Sequence, residues 1–193
     1  MARMPSTMLD LGTSLPDFDL PAANPDVMGD RVSRADLEGA PLVVVFTCNH
    51  CPYAVHVEPR LIEQSHEWIE KGVNVVAISS NDADAYPKDS FDEMAERAAR
   101  LGYPFPYLYD EPQDVARAFD AACTPDFYLF DADGALVYRG RIDDSRPGRP
   151  TSGAVPVTTS DLDDAVTELL ETGGVTVEQL PSIGCNIKWK PTA

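Results

Sequence analysis

Two apolar runs, residues 42–47 and 73–79, flank a segment, 52–71, in which Val55, Leu61, Ile62, Trp68 and Ile69 recur at helical spacing. The runs are too continuous for half-exposed strands, so each predicts a buried one, and Gly72 stops the helix between them. Strand, helix and strand of this kind predict a parallel pair in an α/β sheet. Pro59 within the helix predicts a kink. Upstream, residues 15–21 alternate apolar and polar between prolines and predict a short edge strand. Ser33 then caps a turn of helix through Leu37, ended by Gly39. Downstream, residues 81–89 form an acidic loop, and 90–101 predicts a helix with Phe91, Met94, Ala98 and Leu101 on one face. Residues 102–110 are a Pro-rich connection containing Tyr107-Leu108-Tyr109, and 113–122 predicts a further short helix. Apolar runs at 127–130 and 136–142 around Asp131-Ala132-Asp133-Gly134 predict a hairpin. Residues 146–157 predict a loop, and Leu162, Val166, Leu169 and Leu170 place a last helix over 161–170.

The length, 193 residues, suits a single domain spanning 1–193. No apolar stretch is long enough to span a membrane. Residues 1–17 carry Arg3 but no apolar core of a secretory signal, and four cysteines do not make a disulfide scaffold, so a cytoplasmic protein with reduced thiols is expected. The formal net charge of −17, with lysine confined to Lys71, Lys88, Lys188 and Lys190, makes nucleic acid and anionic membranes poor partners. Such an Asp-rich, Lys-poor surface also suits solubility in high salt, as in a halophilic source.

The chemistry is concentrated in Cys48-Asn49-His50-Cys51, directly after the first apolar run and directly before the first long helix. A zinc site needs four ligands, whereas Cys123 and Cys185 are isolated and His56 and His66 precede both, so no metal is expected. A structural disulfide across so small a loop constrains the unfolded chain little. A strand that delivers a Cys-x-x-Cys pair to a helix N-terminus instead favours thiolate and hence dithiol–disulfide chemistry. On this reasoning Cys48 is expected to titrate well below a free thiol.

The order βαβ, helices, hairpin, helix, with Thr124-Pro125 just before the hairpin, resembles the thioredoxin-like superfamily. Thr47-Cys48-Asn49-His50-Cys51-Pro52-Tyr53, Cys123-Thr124-Pro125-Asp126, residues 138–145 and Gly184-Cys185-Asn186-Ile187-Lys188-Trp189-Lys190 place the resemblance in its redoxin, or alkyl hydroperoxide reductase (AhpC/TSA)-like, group. The resemblance implies a three-layer α/β/α fold around a central mixed sheet, with an N-terminal extension and a C-terminal tail. It implies a thiol–disulfide oxidoreductase whose only redox group is the Cys48–Cys51 disulfide, with no further cofactor. Cys48, the more exposed thiol, would be the nucleophile, and Cys51, one turn inside the helix, the resolving thiol. Asn49 and His50 would tune the redox poise. A cis Pro125 would leave the Thr124 backbone free to pair with an extended substrate. Partners would be protein or small-molecule disulfides and a thiol electron donor.

The alternatives are a peroxiredoxin-like peroxidase acting on hydroperoxides, with Arg139 or Arg141 near the thiols, and a binding module without turnover. Against the peroxidase, the residue three before Cys48 is Val45 and the residue three before Cys51 is Cys48, where a threonine is expected. Cys123 is expected to be a buried residue beside the proline. The tail is expected to pack as a short edge strand with Ile187 and Trp189 at the core's margin, and Cys185, beside Lys188 and Lys190, is a candidate auxiliary thiol of lowered pKa that exchanges with the Cys48–Cys51 pair or forms an intermolecular disulfide.

Overall fold

The structure is a computed structural model that describes residues 3–148 and 152–191; of the expected loop at 146–157, residues 149–151 lie outside the described residues. Its strands are β1 (Arg3–Pro5), β2 (Asp19–Pro21), β3 (Arg31–Ser33), β4 (Leu42–Phe46), β5 (Asn74–Ser79), β6 (Tyr107–Tyr109), β7 (Cys123–Thr124), β8 (Asp126–Phe130), β9 (Leu136–Gly140) and β10 (Ile183–Asn186). Its α-helices are α1 (Pro52–Glu70), α2 (Phe91–Leu101), α3 (Asp114–Ala118) and α4 (Asp161–Thr172).

The central sheet has the order β6-β5-β4-β8-β9. β4 runs parallel to β5, and β5 to β6, while β8 is antiparallel to β4 and to β9. Alternation along β4 sorts the core into two layers. Val43 and Val45 join Leu61 and Trp68 of α1, Met94 of α2 and Leu162 and Val166 of α4 on one face. Leu42, Val44 and Phe46 face Leu20, Val32 and Leu37 of the N-terminal segment, Val115 and Phe119 around α3, and Ile187 of the tail. The fold is therefore the expected thioredoxin-like α/β/α arrangement with a central mixed sheet. α1 continues through Pro59 to Glu70 without a break in helix.

Three expectations need correction. Tyr107–Tyr109 is a third parallel strand rather than a connection, paired to Ala77, Ile78 and Ser79. The expected edge strand narrows to β2, which pairs with the unforeseen β3. The tail is no edge strand: β10 is the central strand of a second sheet of order β1-β10-β7. Ile187 is buried, but Trp189 is 40% exposed and lies under Arg117, 4.8 Å from guanidinium carbon to ring centroid. The physical reason is that β1, from the N-terminal extension, covers the edge the tail would otherwise expose.

Candidate active site

β4 leads through Thr47, whose N–H bonds the Ile78 carbonyl at 2.9 Å, into Cys48. α1 begins at Pro52, a position where a missing N–H costs nothing, so its N-cap is Cys51. Cys51 therefore stands at the helix terminus rather than one turn inside, and Cys48 stands one further bend away. The intervening pair is clamped. The Asn49 N–H donates to Asp89 Oδ1 (2.8 Å), its amide donates to the Lys88 carbonyl (2.8 Å), and its Oδ1 accepts from the Tyr107 hydroxyl (3.0 Å). His50 Nδ1 lies 2.6 Å from Asp89 Oδ2, and its ring stacks on Tyr86 at 5.2 Å. Asp89 is fully buried and also accepts from Asn81 Nδ2 at 2.8 Å.

Three sulfurs cluster here: Cys48 and Cys51, with Cys185 of β10, all packed around Ala54. Cys48 is 3% exposed and Cys51 not at all, so Cys48 is the outer sulfur of the pair but not an exposed one. The Thr124–Pro125 peptide is cis, as expected. Thr124 faces the pair, its Oγ1 3.4 Å from Cys48 Sγ and its carbonyl accepting from Cys51 Sγ at 3.1 Å.

The charge distribution overturns the expected thiolate at Cys48. Hydrogen bonds from Cys185 and from Cys48, with a smaller contribution from the Ala54 N–H, hold the Cys51 thiol far below a free thiol. Cys48 is pushed up by its hydrogen bond to Cys51, by burial and by the Asp89 charge, the Thr124 hydroxyl opposing. Cys185 is likewise pushed up, not down, by its hydrogen bond to Cys51 and by burial, with Lys188 only partly offsetting. These directions favour charge on Cys51, the sulfur at the helix terminus, over charge on Cys48, with the hydrogen bond from the Cys51 thiol to the Thr124 carbonyl opposing.

Thr124 does not keep its backbone free. β7 pairs antiparallel with β10, Thr124 opposite Cys185 and Cys123 opposite Asn186, so this chain's own tail takes the position an extended substrate was expected to take. Gly184 makes the approach: a Cβ there would stand 2.0 Å from the Thr124 carbonyl oxygen. Cys123 is fully buried beside the proline, its Sγ 3.6 Å from the Pro125 carbonyl, and burial pushes its thiol up.

The arginines are engaged elsewhere. Arg141 pairs with Asp161 at 2.5 Å, and Arg139 bonds Gln179 at 2.6 Å. Arg141 does line a shallow groove open to solvent, together with Tyr53, Pro125 and Ile183, but Cys48 does not line it. As for metal ligands, Cys48, His50 and Asp89 offer atoms within 4.8 Å of one another, yet the Asp89 oxygens already serve Asn49, Asn81 and His50.

Cys185 does join the pair with which it was a candidate to exchange. Sequence reasoning missed Asp89, Asn81 and Tyr107. It also missed Asp126, which directly follows Pro125: burial raises its carboxyl to about 8, although the Tyr128 hydroxyl donates to it at 3.0 Å. An aspartate inside an otherwise apolar run was the available signal.

Fold and site together define a thioredoxin-like protein with a dithiol centre. More narrowly, the chain belongs to the AhpC/TSA family, which its residues 11–139 match. Over 129 residues it is 23% identical to the thiol-disulfide oxidoreductase ResA of Bacillus thuringiensis, covering 67% of this chain and 68% of ResA. An uncharacterized conserved protein from Geobacillus kaustophilus is 48% identical, with a TM-score of 0.91 over 100% of this chain and 99% of that one. The thioredoxin domain of a thiol-disulfide oxidoreductase from Bacteroides vulgatus shares the fold, with a TM-score of 0.56 at 18% identity over 68% of this chain and 88% of that one. No helix among the described residues is long and apolar enough to cross a membrane.

Proposed function

We propose that the protein is a thiol–disulfide oxidoreductase whose working group is the Cys48–Cys51 pair. The observation that carries this reading is the hydrogen-bonded pair at the N-terminus of α1, with Thr124 and the cis Pro125 against it. Cys48, the outer sulfur, attacks a substrate disulfide. As the new S–S bond forms, Cys48 becomes acidic and its proton crosses the existing hydrogen bond to Cys51, while one substrate sulfur leaves as thiolate. Cys51 then gives its proton to the departing group and attacks Cys48, which forms the Cys48–Cys51 disulfide and releases the second substrate sulfur as a thiolate that is protonated from solvent. An external thiol donor returns the pair to the dithiol, and no other cofactor is needed. Asn49 and His50, held by Asp89, fix the loop and set the charge around Cys48, and so tune the potential. With the Thr124 backbone occupied by β10, a substrate disulfide meets Cys48 without pairing to that strand.

Catalysed reduction of insulin disulfides with a dithiol donor tests the reading. Turnover is expected, falling at least about 100-fold in Cys48→Ser, a loss on the scale of removing a catalytic nucleophile. No activity above the uncatalysed rate, with hydroperoxide consumed rapidly under the same conditions, contradicts it in favour of a peroxidase. Nothing in the site favours that second reading: both hairpin arginines are engaged away from the sulfurs, and Val45 stands in buried β4 where a peroxidase threonine was sought.

A further inference from the structure

Cys123 and Cys185 look alike in the sequence, isolated and remote from the pair, but the fold treats them differently. Cys123 packs against the Pro125 carbonyl, outside the cluster that Cys48 and Cys51 form. Cys185 joins them. Its strand is held on both edges, Cys185 standing opposite Arg3 of β1 and opposite Thr124 of β7. Thr124 is also the residue whose carbonyl accepts from Cys51. The absence of a side chain at Gly184 lets β10 come this close. Beyond Cys185 the chain is locked again: the Lys188 N–H donates to Asn81 Oδ1 and the Lys188 carbonyl accepts from Gln113, both at 2.8 Å. The Lys188 ammonium is folded back onto the Asn186 carbonyl and lies 5.8 Å from the Tyr86 ring centroid, and its charge acts on Cys185. A cysteine needed only to fill space requires none of these fastenings.

We propose that Cys185 is a third redox cysteine, which takes Cys51 from the Cys48–Cys51 disulfide by internal exchange and so frees Cys48 while the protein stays oxidised. The step rests on the dithiol chemistry proposed above and needs no further oxidant. Cys185 Sγ bonds to Cys51 Sγ as the Cys48–Cys51 bond breaks, and the proton given up by Cys185 ends on Cys48. One disulfide is lost and one formed, with no net oxidation. Cys51, hydrogen-bonded to both Cys48 and Cys185 within one cluster, is the shared partner. The fixed β10 strand then acts as an internal substrate, presenting its thiol where an extended substrate segment was expected. The released Cys48 is again the outer thiol, able to attack a second disulfide.

The test is the disulfide map of the full-length protein. Wild type, Cys48→Ser and Cys185→Ser are oxidised with one equivalent of diamide, quenched with an alkylating agent, digested without reduction and read by mass spectrometry. The expected result is Cys48–Cys51 in wild type and in Cys185→Ser, and Cys51–Cys185 in Cys48→Ser at no less than about tenfold over any other disulfide, which matches the preference of a contact pair over remote ones. Cys51 and Cys185 both recovered alkylated in Cys48→Ser, while wild type forms Cys48–Cys51 normally, overturns the inference and leaves the dithiol reading standing. A wild type that forms neither Cys48–Cys51 nor Cys51–Cys185 overturns the dithiol reading itself. Circular dichroism of each variant shows that the map is read on folded protein.

Discussion

Charge in this site belongs to a sulfur the sequence assigns to a resolving role. Cys51 holds the helix terminus and receives two thiol hydrogen bonds, while Cys48 faces Asp89. Reduced wild-type protein is therefore expected to show thiolate ultraviolet absorbance at neutral pH. Cys51→Ser should abolish it, and Cys185→Ala, which removes the first donor, should shift its midpoint upward; absorbance lost instead only in Cys48→Ser would return the charge to Cys48. Asp126 offers a second prediction at this scale. Its carboxyl is raised to about 8 by burial, so the folded protein holds a proton that the unfolded chain releases near its ordinary 3.8. Between those values the folded state binds more protons, and stability from this group is full below about pH 4 and declines toward pH 8. Asp126→Asn should flatten that decline, worth a few kcal/mol by the linkage of about 1.4 kcal/mol per unit of pKa difference. Denaturant unfolding of both proteins between pH 4 and 8 reads it, and parallel curves would show that the carboxyl is ionised in the fold.

Elements whose signals are local were legible in the sequence. α2 is capped by Ser90 Oγ, which accepts from the Glu93 N–H, and is ended by Gly102 in the left-handed region, as the residues announce. Ser90→Ala should cost about 1 kcal/mol in chemical denaturation, with the same folded spectrum. β4, β5 and the hairpin were readable because five or more residues carry their own apolar pattern. β1, β3, β6 and β7 were not, since strands of two or three residues are defined by remote partners rather than by periodicity. The same limit hid the site's supports. Asp89 lies in a segment that reads as an acidic loop, and only the folded chain brings it under Asn49 and His50. Cys48, Cys51, Thr124 and Pro125 were legible as motif residues, whereas the placement of Cys185 against Cys51 depends on the pairing of β7 with β10.

At the scale of the whole molecule the charge of −17 opposes compaction. The ion pairs seen, such as Arg97–Glu58 and Arg60–Asp143, use up arginines and leave most carboxylates without a cation. Raising salt from about 0.01 M to about 1 M shortens the screening length from about 30 Å to about 3 Å, so the thermal midpoint should rise with sodium chloride. A midpoint that falls over that range would mean that paired charges outweigh the repulsion. The central claim, however, is redox. Equilibrating the protein in dithiol–disulfide buffers of stepped potential, then alkylating and weighing it, tests that claim most directly. The account predicts one two-electron transition in which Cys48 and Cys51 lose or gain thiols together, with a midpoint in the range of about −270 to −120 mV covered by thioredoxin-like oxidoreductases. Cys48 and Cys51 remaining free thiols across that whole range would contradict it.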